Sequence, residues 1–261
     1  MSQRSRIRLE VASDTDLGLE RENNQDTIFQ WTSNQNLSPP RALLLLADGM
    51  GGHQKGEVAS QITVEKHKEI LIPKLSGQEI ENEIIIELLE NALLESNKSI
   101  SEYAIDNGIT LQDIGTTLDC VVLFGKEMFF SHVGDGRIYL LKKLGLNQLT
   151  TDHSVVEEMA KAGLIRPEEI YTHPQRNLLT KGLGGNVKID IKIEKIELTL
   201  GDRVLMCSDG LWGLIRDNLL ERILLWASPP HVLVKELVIA AKEAGGNDNI
   251  SVIICDILPA S

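Results

Sequence analysis

Aromatic residues are scarce: they make up 4% of the 261 residues, so any core must be mostly aliphatic. Cysteine is nearly absent as well. Cys120, Cys207 and Cys255 each lie in an apolar run, and no two are spaced as a zinc pair. That excludes a disulfide scaffold and a cysteine-ligated zinc site, and reads as buried strand thiols in a reducing compartment. No apolar run approaches the ~20 residues needed to span a bilayer. The opening MSQRSRIRLEV has positive charge but no apolar signal core, so a cytoplasmic location is expected. Positive charge is short overall, with 26 Lys and Arg against 38 Asp and Glu and a net charge of −12. Such a surface repels phosphate backbones and anionic membranes, so neither is expected as a partner. An acidic protein that handles phosphate needs local positive charge, which metal ions can supply.

Several phosphate chemistries are missing too. There is no G-x-x-x-x-G-K-[ST] loop. A cysteine phosphatase wants an arginine six residues after its nucleophile, where this chain has Lys126, Gly213 and Ser261. Asp14-Thr15-Asp16 has the spacing of an aspartyl-phosphate enzyme, but EVAS before it reads as a poor strand end and Gly18 stands where a hydroxyl is expected.

What is present is 42% hydrophobic content, enough for a sizeable core, with no repeat and no low-complexity tract. The polar stretch 33–40 reads as a hairpin loop, too short for a linker, so one domain over 1–261 is expected. The run 41–47 is apolar throughout and ends at Asp48-Gly49. Runs 117–124, 127–133 and 137–142, split by Gly125-Lys126 and Gly134-Asp135-Gly136, predict an antiparallel meander. Strict alternation over 187–198 predicts a half-buried strand, and 203–207 and 250–257 are further buried runs. Helical spacing appears over 58–72, and in a stripe of Ile80, Ile84, Leu88 and Ala92 with Ile85, Leu89 and Leu93. It returns over 154–162, with Ser154 as N-cap and Gly163 as stop, and over 231–244. Strands cluster with strands, which favours antiparallel sheets covered by helices.

Four aspartates share a Gly-rich setting: Asp48, Asp135, Asp209 and Asp248. Asp26 stands just before the apolar Thr27-Ile28-Phe29. A carboxylate at a strand end is held rigidly yet reaches solvent, and a neighbouring glycine lets a carbonyl turn to the same point. Hard cations such as Mg²⁺ and Mn²⁺ take oxygen ligands of this kind. For any one Asp-Gly the plainer reading is a turn, and turns do sit at strand ends, so the pattern alone leaves turn and metal site open.

The ordered set Arg21-x-x-Asn24-Gln25-Asp26, Ala47-Asp48-Gly49-Met50-Gly51-Gly52-His53, Gly115-Thr116-Thr117, Val133-Gly134-Asp135-Gly136-Arg137, Leu149-Thr150-x-Asp152-His153-Ser154, Cys207-Ser208-Asp209-Gly210-Leu211-Trp212 and Gly246-Asn247-Asp248-Asn249-Ile250-Ser251 resembles the metal-dependent protein phosphatases of type 2C, bacterial type. The match runs over about 11–257. The resemblance implies an α+β fold, a four-layer αββα sandwich of two antiparallel sheets with helices on both outer faces. It implies hydrolysis of phosphoserine and phosphothreonine in proteins by a hydroxide bridging two metals, without a covalent intermediate, in a monomeric enzyme. The cofactor would be Mn²⁺ or Mg²⁺, two ions in the core and a third outside it. By this likeness Asp48 bridges the core pair, the Gly49 carbonyl binds one ion, Asp209 and Asp248 hold the other, and Asp135 with Asp209 marks the third. Asp26 would orient water and Arg21 would grip the phosphate. A mobile flap is implied over 163–176, with His173 as a candidate substrate contact. Rival readings are a catalytically silent binding module of this fold and a phosphatase of small phosphoesters.

Departures are few. Gln25 stands where many relatives have glutamate, and Lys181 and Gly182 where arginine and alanine are usual, with no functional account from sequence. His53 could protonate the leaving alkoxide, but it lies three residues after Met50, where the animal-type enzymes place their proposed acid. His132 reads as a satisfied core histidine, and His153 as a brace for the helix that follows.

Overall fold

The computed structural model describes residues 7–33, 38–50, 55–77, 80–184 and 192–260. One antiparallel sheet has the order β1 (Ile7–Asp16), β11 (Ile250–Pro259), β10 (Arg203–Cys207), β7 (Arg137–Lys142), β8 (Gly145–Gln148). The other runs β2 (Asp26–Thr32), β3 (Arg41–Met50), β5 (Leu118–Phe124), β6 (Glu127–Val133), β9 (Ile193–Glu197), and the short β4 (Gly115–Thr116) pairs with the end of β3. The α-helices are α1 (Lys55–Leu75), α2 (Asn82–Asp106), α3 (Val155–Lys161), α4 (Asp209–Trp212), α5 (Asp217–Leu224) and α6 (Pro230–Glu243).

Side-chain alternation shows the layers. Along β3, Leu43, Leu45 and Ala47 join a core with α1 and α2, while Ala42, Leu44 and Leu46 join a core between the sheets. Along β11, Ile250, Val252 and Ile254 face α4, α5 and α6, while Ile253, Cys255 and Ile257 face the other sheet. Successive strand residues point to opposite faces, so a run apolar at every position is what two covered faces require. Three stacked cores make the four-layer αββα sandwich. Each fully buried leucine or isoleucine contributes about 1.5–3 kcal/mol relative to exposure.

Local signals place most elements. Ser154 caps α3 by accepting from the Glu157 amide at 3.3 Å, and Gly163 follows with φ +71°. On α2 the buried positions are Ile85, Leu89, Ala92, Leu93, Ser96, Ile100 and Ala104, and Ile84 is solvent-exposed, so the stripe centres on the Ile85 register. The expected three-strand meander is not formed. β6 pairs with β5 and β9, whereas β7 pairs with β10 and β8, so the chain crosses between sheets at 134–136. Both strands are apolar on two faces, and periodicity carries no information about which sheet each joins. β1 is a ten-residue strand that includes the segment before Asp14, which reads in sequence as a poor strand end. The expected strand over 187–198 is β9 in its second half, and 187–191 lie outside the described residues.

These pairings gather the acidic residues at one end of the sandwich. Asp26 opens β2 directly across from Asp48 near the end of β3. Asp135 sits in the crossover, Asp209 follows β10, and Asp248 precedes β11.

Candidate active site

The β3 end depends on two glycines. A Cβ on Gly49 would lie 2.2 Å from the Gly56 carbonyl oxygen, and one on Gly56 would lie 2.6 Å from the Gly49 oxygen. Only glycine at both positions lets β3 meet the first turn of α1. The Asp48 backbone is clamped by Thr117 and Thr116: its N–H donates to Thr117 Oγ1 at 3.0 Å, and its carbonyl accepts from the Thr116 hydroxyl at 2.8 Å. Across the sandwich, Asn249 ties down the segment that carries Arg21. Its amide nitrogen donates to the carbonyls of Leu17 and Asn23, and its oxygen accepts from the Gln25 N–H at 2.9 Å. Sequence reading quoted Asn249 but gave it no role, although a polar residue held between Asp248 and an apolar strand was the signal.

Burial raises the carboxyl groups. Asp26 is pushed up to about 6, chiefly by burial and further by the Asp248 charge. Asp209 is pushed up to about 7 by burial, then by Asp248 and Asp26. Asp48 and Asp135 lie well above the usual carboxylate range, again through burial first and neighbouring aspartates second. Both Asp26 oxygens and Asp209 Oδ1 are buried with no hydrogen-bond donor in place. The nearby Ser208 and Ser251 hydroxyls lower Asp26 somewhat, but their resolved bonds run to the Asn249 carbonyl and to Thr15.

Buried, donor-starved carboxylates at mutual repulsion fit divalent cations, and all the donors are oxygen. Among the described residues no three acidic, histidine or cysteine side chains close into a compact shell. Ions held here would take part of their coordination from backbone carbonyl and water, as Mg²⁺ and Mn²⁺ commonly do.

A cleft of about 150 Å³ opens beside these carboxylates, lined by Arg21, Asp209 and Asp248 on the body and by Tyr171 and Arg176 on the flap. Arg21 donates to Asp248 Oδ2 at 2.7 Å, and this bond raises the guanidinium above its ordinary value. His173 turns its Nδ1 to the Gln175 N–H at 3.2 Å and does not line this cleft, whereas Arg176 and Tyr171 do. Sequence reading missed both, because nothing local marks which flap side chains turn inward.

His53 lies outside the described residues. His132 is buried and bonded at both nitrogens, to Asp119 Oδ1 at 2.7 Å and to the Thr151 carbonyl at 3.1 Å. His153 braces the Asp135 turn more than the helix after it: its backbone N–H donates to the Gly134 carbonyl and its Nδ1 accepts from the Gly134 N–H. Gly182 also gains an account. A Cβ there would lie 2.4 Å from the Met50 methyl, so the missing side chain makes room for Met50.

Residues 20–228 match the family model described as Protein phosphatase 2C. Protein phosphatase PhpP of Streptococcus pneumoniae is 33% identical over 244 residues, covering 94% of this chain and 96% of that one. Serine/threonine protein phosphatase PstP of Mycobacterium tuberculosis is 33% identical over 252 residues, 96% of this chain but 45% of the relative. Among solved structures, the catalytic domain of a serine/threonine protein phosphatase PstP in complex with two manganese ions is similar with a TM-score of 0.82 at 30% identity, over 97% of this chain and 99% of that one.

Proposed function

The chain belongs to the protein phosphatase 2C family, and we propose that its buried aspartates hold two divalent cations, Mn²⁺ or Mg²⁺, while Arg21 holds the phosphoryl group. It is a metal-dependent serine/threonine phosphatase whose substrates are phosphorylated proteins. The observation that carries the cation reading is the set of donor-starved oxygens on Asp26 and Asp209 within a cluster of raised carboxyls. Asp48 would bridge the pair, the Gly49 carbonyl would serve one ion, and Asp209 and Asp248 the other. When bound, such ions neutralise phosphoryl oxygens and acidify the attacking water.

The chain's own groups do the rest. Arg21 can clamp two phosphoryl oxygens with its planar fork. Asp26 would orient the attacking water. Water would be the nucleophile; the three cysteines are buried, and burial pushes their thiols up, so they do not compete. Asp135, with Asp209, would hold a third cation beside the leaving group. His53 and His173 remain candidates for proton delivery and substrate contact. We read residues 1–261 as one catalytic domain with a flap over 163–176, monomeric and cytoplasmic. No helix among the described residues is long and apolar enough to cross a membrane.

The test is a Mn²⁺ titration with phosphopeptide turnover. Asp48→Asn should abolish activity and weaken core-ion binding at least tenfold; full activity after exhaustive chelation would sink the reading. Asp135→Ala should keep two tightly bound ions, lose ~10²–10⁴-fold on phosphoserine peptides, and lose less on an aryl phosphate whose leaving group needs no proton. Equal losses on both substrates would remove the third-cation role.

A further inference from the structure

The flap sends one aromatic ring into a stack that ends beside the active-site carboxylates. Tyr171 follows the buried Ile170, just after the 3-10 turn Pro167–Glu169. Its ring stands edge-on to Trp212, with centroids 6.0 Å apart and planes at 69°. The Arg216 guanidinium lies 3.3 Å from the Tyr171 centroid, and that of Arg137 lies 3.7 Å from the Trp212 centroid. Arg137 also lies 5.8 Å from the Tyr171 centroid, so it sits beside both rings while Arg216 covers Tyr171, contacts that ring quadrupoles favour. Arg137 is itself immobilised, forked onto buried Asp152 and bonded to the Tyr139 hydroxyl.

Trp212 joins this stack to the site in two ways. It ends the helical turn α4 that Asp209 begins. Its indole N–H donates to the Asp135 carbonyl at 2.8 Å. One ring therefore touches the carriers of two candidate ligands, and Tyr171 is the flap residue that seats against it. On its other side, the Tyr171 carbonyl accepts from Arg176 Nη1 at 3.2 Å, the arginine that lines the cleft with Arg21.

We propose that Tyr171 is a positioning residue for the phosphatase reaction: seated on Trp212, it fixes the turn bearing Asp135, and through its carbonyl it holds Arg176 over the cleft. This rests on the phosphatase reading above but not on a third cation. Flap seating and carboxylate geometry then rise and fall together, so a loosened flap lowers kcat as well as raising KM. An ordinary substrate-contacting loop would change KM alone.

The experiment compares the intact Mn²⁺-loaded chain with Tyr171→Ala and Tyr171→Phe, by amide hydrogen exchange over 133–137 and by Michaelis kinetics on a phosphothreonine peptide. Losing the ring should raise exchange in that turn roughly tenfold and lower kcat by a similar factor. Tyr171→Phe keeps the ring and should recover most of both. Unchanged exchange at 133–137, with only the flap's own exchange raised, would overturn the proposal, as would a phenylalanine variant as impaired as alanine. If Tyr171→Ala does not fold, Arg216→Ala, which strips one cation from the stack, must still raise exchange at 133–137; no rise is equally fatal. Hydrogen exchange needs no turnover. Wild-type chain that binds Mn²⁺ but hydrolyses nothing would therefore count against the phosphatase reading and leave the coupling to be judged by exchange alone.

Discussion

Arg21 and Asp248 stand 227 positions apart in the chain yet meet at 2.7 Å in the cleft. The pair is partly exposed, so solvent screens it and its own contribution to stability is small. Its meaning is competitive: a guanidinium on Asp248 Oδ2 opposes a cation on the same oxygen, and a bound phosphate would draw that guanidinium away. Arg21→Ala should therefore raise the phosphopeptide KM about tenfold or more while leaving Mn²⁺ affinity unchanged or tighter. Michaelis kinetics beside a calorimetric Mn²⁺ titration checks this. Weaker Mn²⁺ binding with an unchanged KM would assign Arg21 to structure.

At the level of elements, the contact between the β3 end and the α1 start decides whether Asp48 and Gly49 are placed at all. The two glycine backbones approach so closely that no side chain fits between them. Gly56→Ala forces a methyl to 2.6 Å from the Gly49 oxygen, and that neighbour is backbone, which cannot swing aside. A loss of about 3 kcal/mol is expected, with Mn²⁺ binding weakened because Gly49 is displaced. Urea unfolding together with Mn²⁺ titration measures both; a variant equal to wild type in each would mean that α1 shifts freely. Ser154→Ala, by contrast, should cost only about 1 kcal/mol and leave the site intact, since it removes one cap from α3.

The whole molecule carries a pH dependence of two opposing parts. Without metal, the raised carboxyls of Asp26 (near 6), Asp209 (near 7), Asp48 and Asp135 hold protons in the folded chain that the unfolded chain releases near 3.8. Folding is favoured while they stay protonated, and that stability is lost as pH rises through the folded values. His67 works the other way. Buried between α1 and α2 with Nδ1 on the Thr63 carbonyl at 2.8 Å, it is lowered by burial from 6.5 to about 4. Its contribution is present above 6.5 and is lost as pH falls toward 4, about 3 kcal/mol in all. Four raised carboxyls outweigh one histidine, so the metal-free chain should melt progressively lower as pH rises from about 4, and several degrees lower at about pH 8 than at about pH 5. Mn²⁺ should lift the alkaline side, because it binds the deprotonated carboxylates and must displace protons at lower pH. His67→Leu should steepen the fall between about pH 4 and 6.5, where it removes the one opposing gain. Thermal melts across pH, with and without Mn²⁺, test each limb; an alkaline limb unmoved by Mn²⁺ would contradict the cation assignment.

The sequence by itself determined many of the elements and most of the candidate ligands. Periods of two and of 3.6, glycine stops and a serine cap are local chemistry, so α1, α2, α3, α6, β3, β5, β10 and β11 were legible, as were Asp48, Asp135, Asp209 and Asp248 beside their glycines. Tertiary structure alone decided that β6 and β7 part into different sheets, since a strand apolar on both faces fits either. It alone decided that the Ile85 register of α2 faces inward, that Asn249 anchors the Arg21 segment, and that Arg176 and Tyr171 turn toward the cleft. It also set the raised carboxyls, because burial and mutual repulsion sum over space among residues more than two hundred positions apart. No local pattern encodes such sums. The sequence therefore names the charged groups, and the fold sets how strongly each one holds its proton.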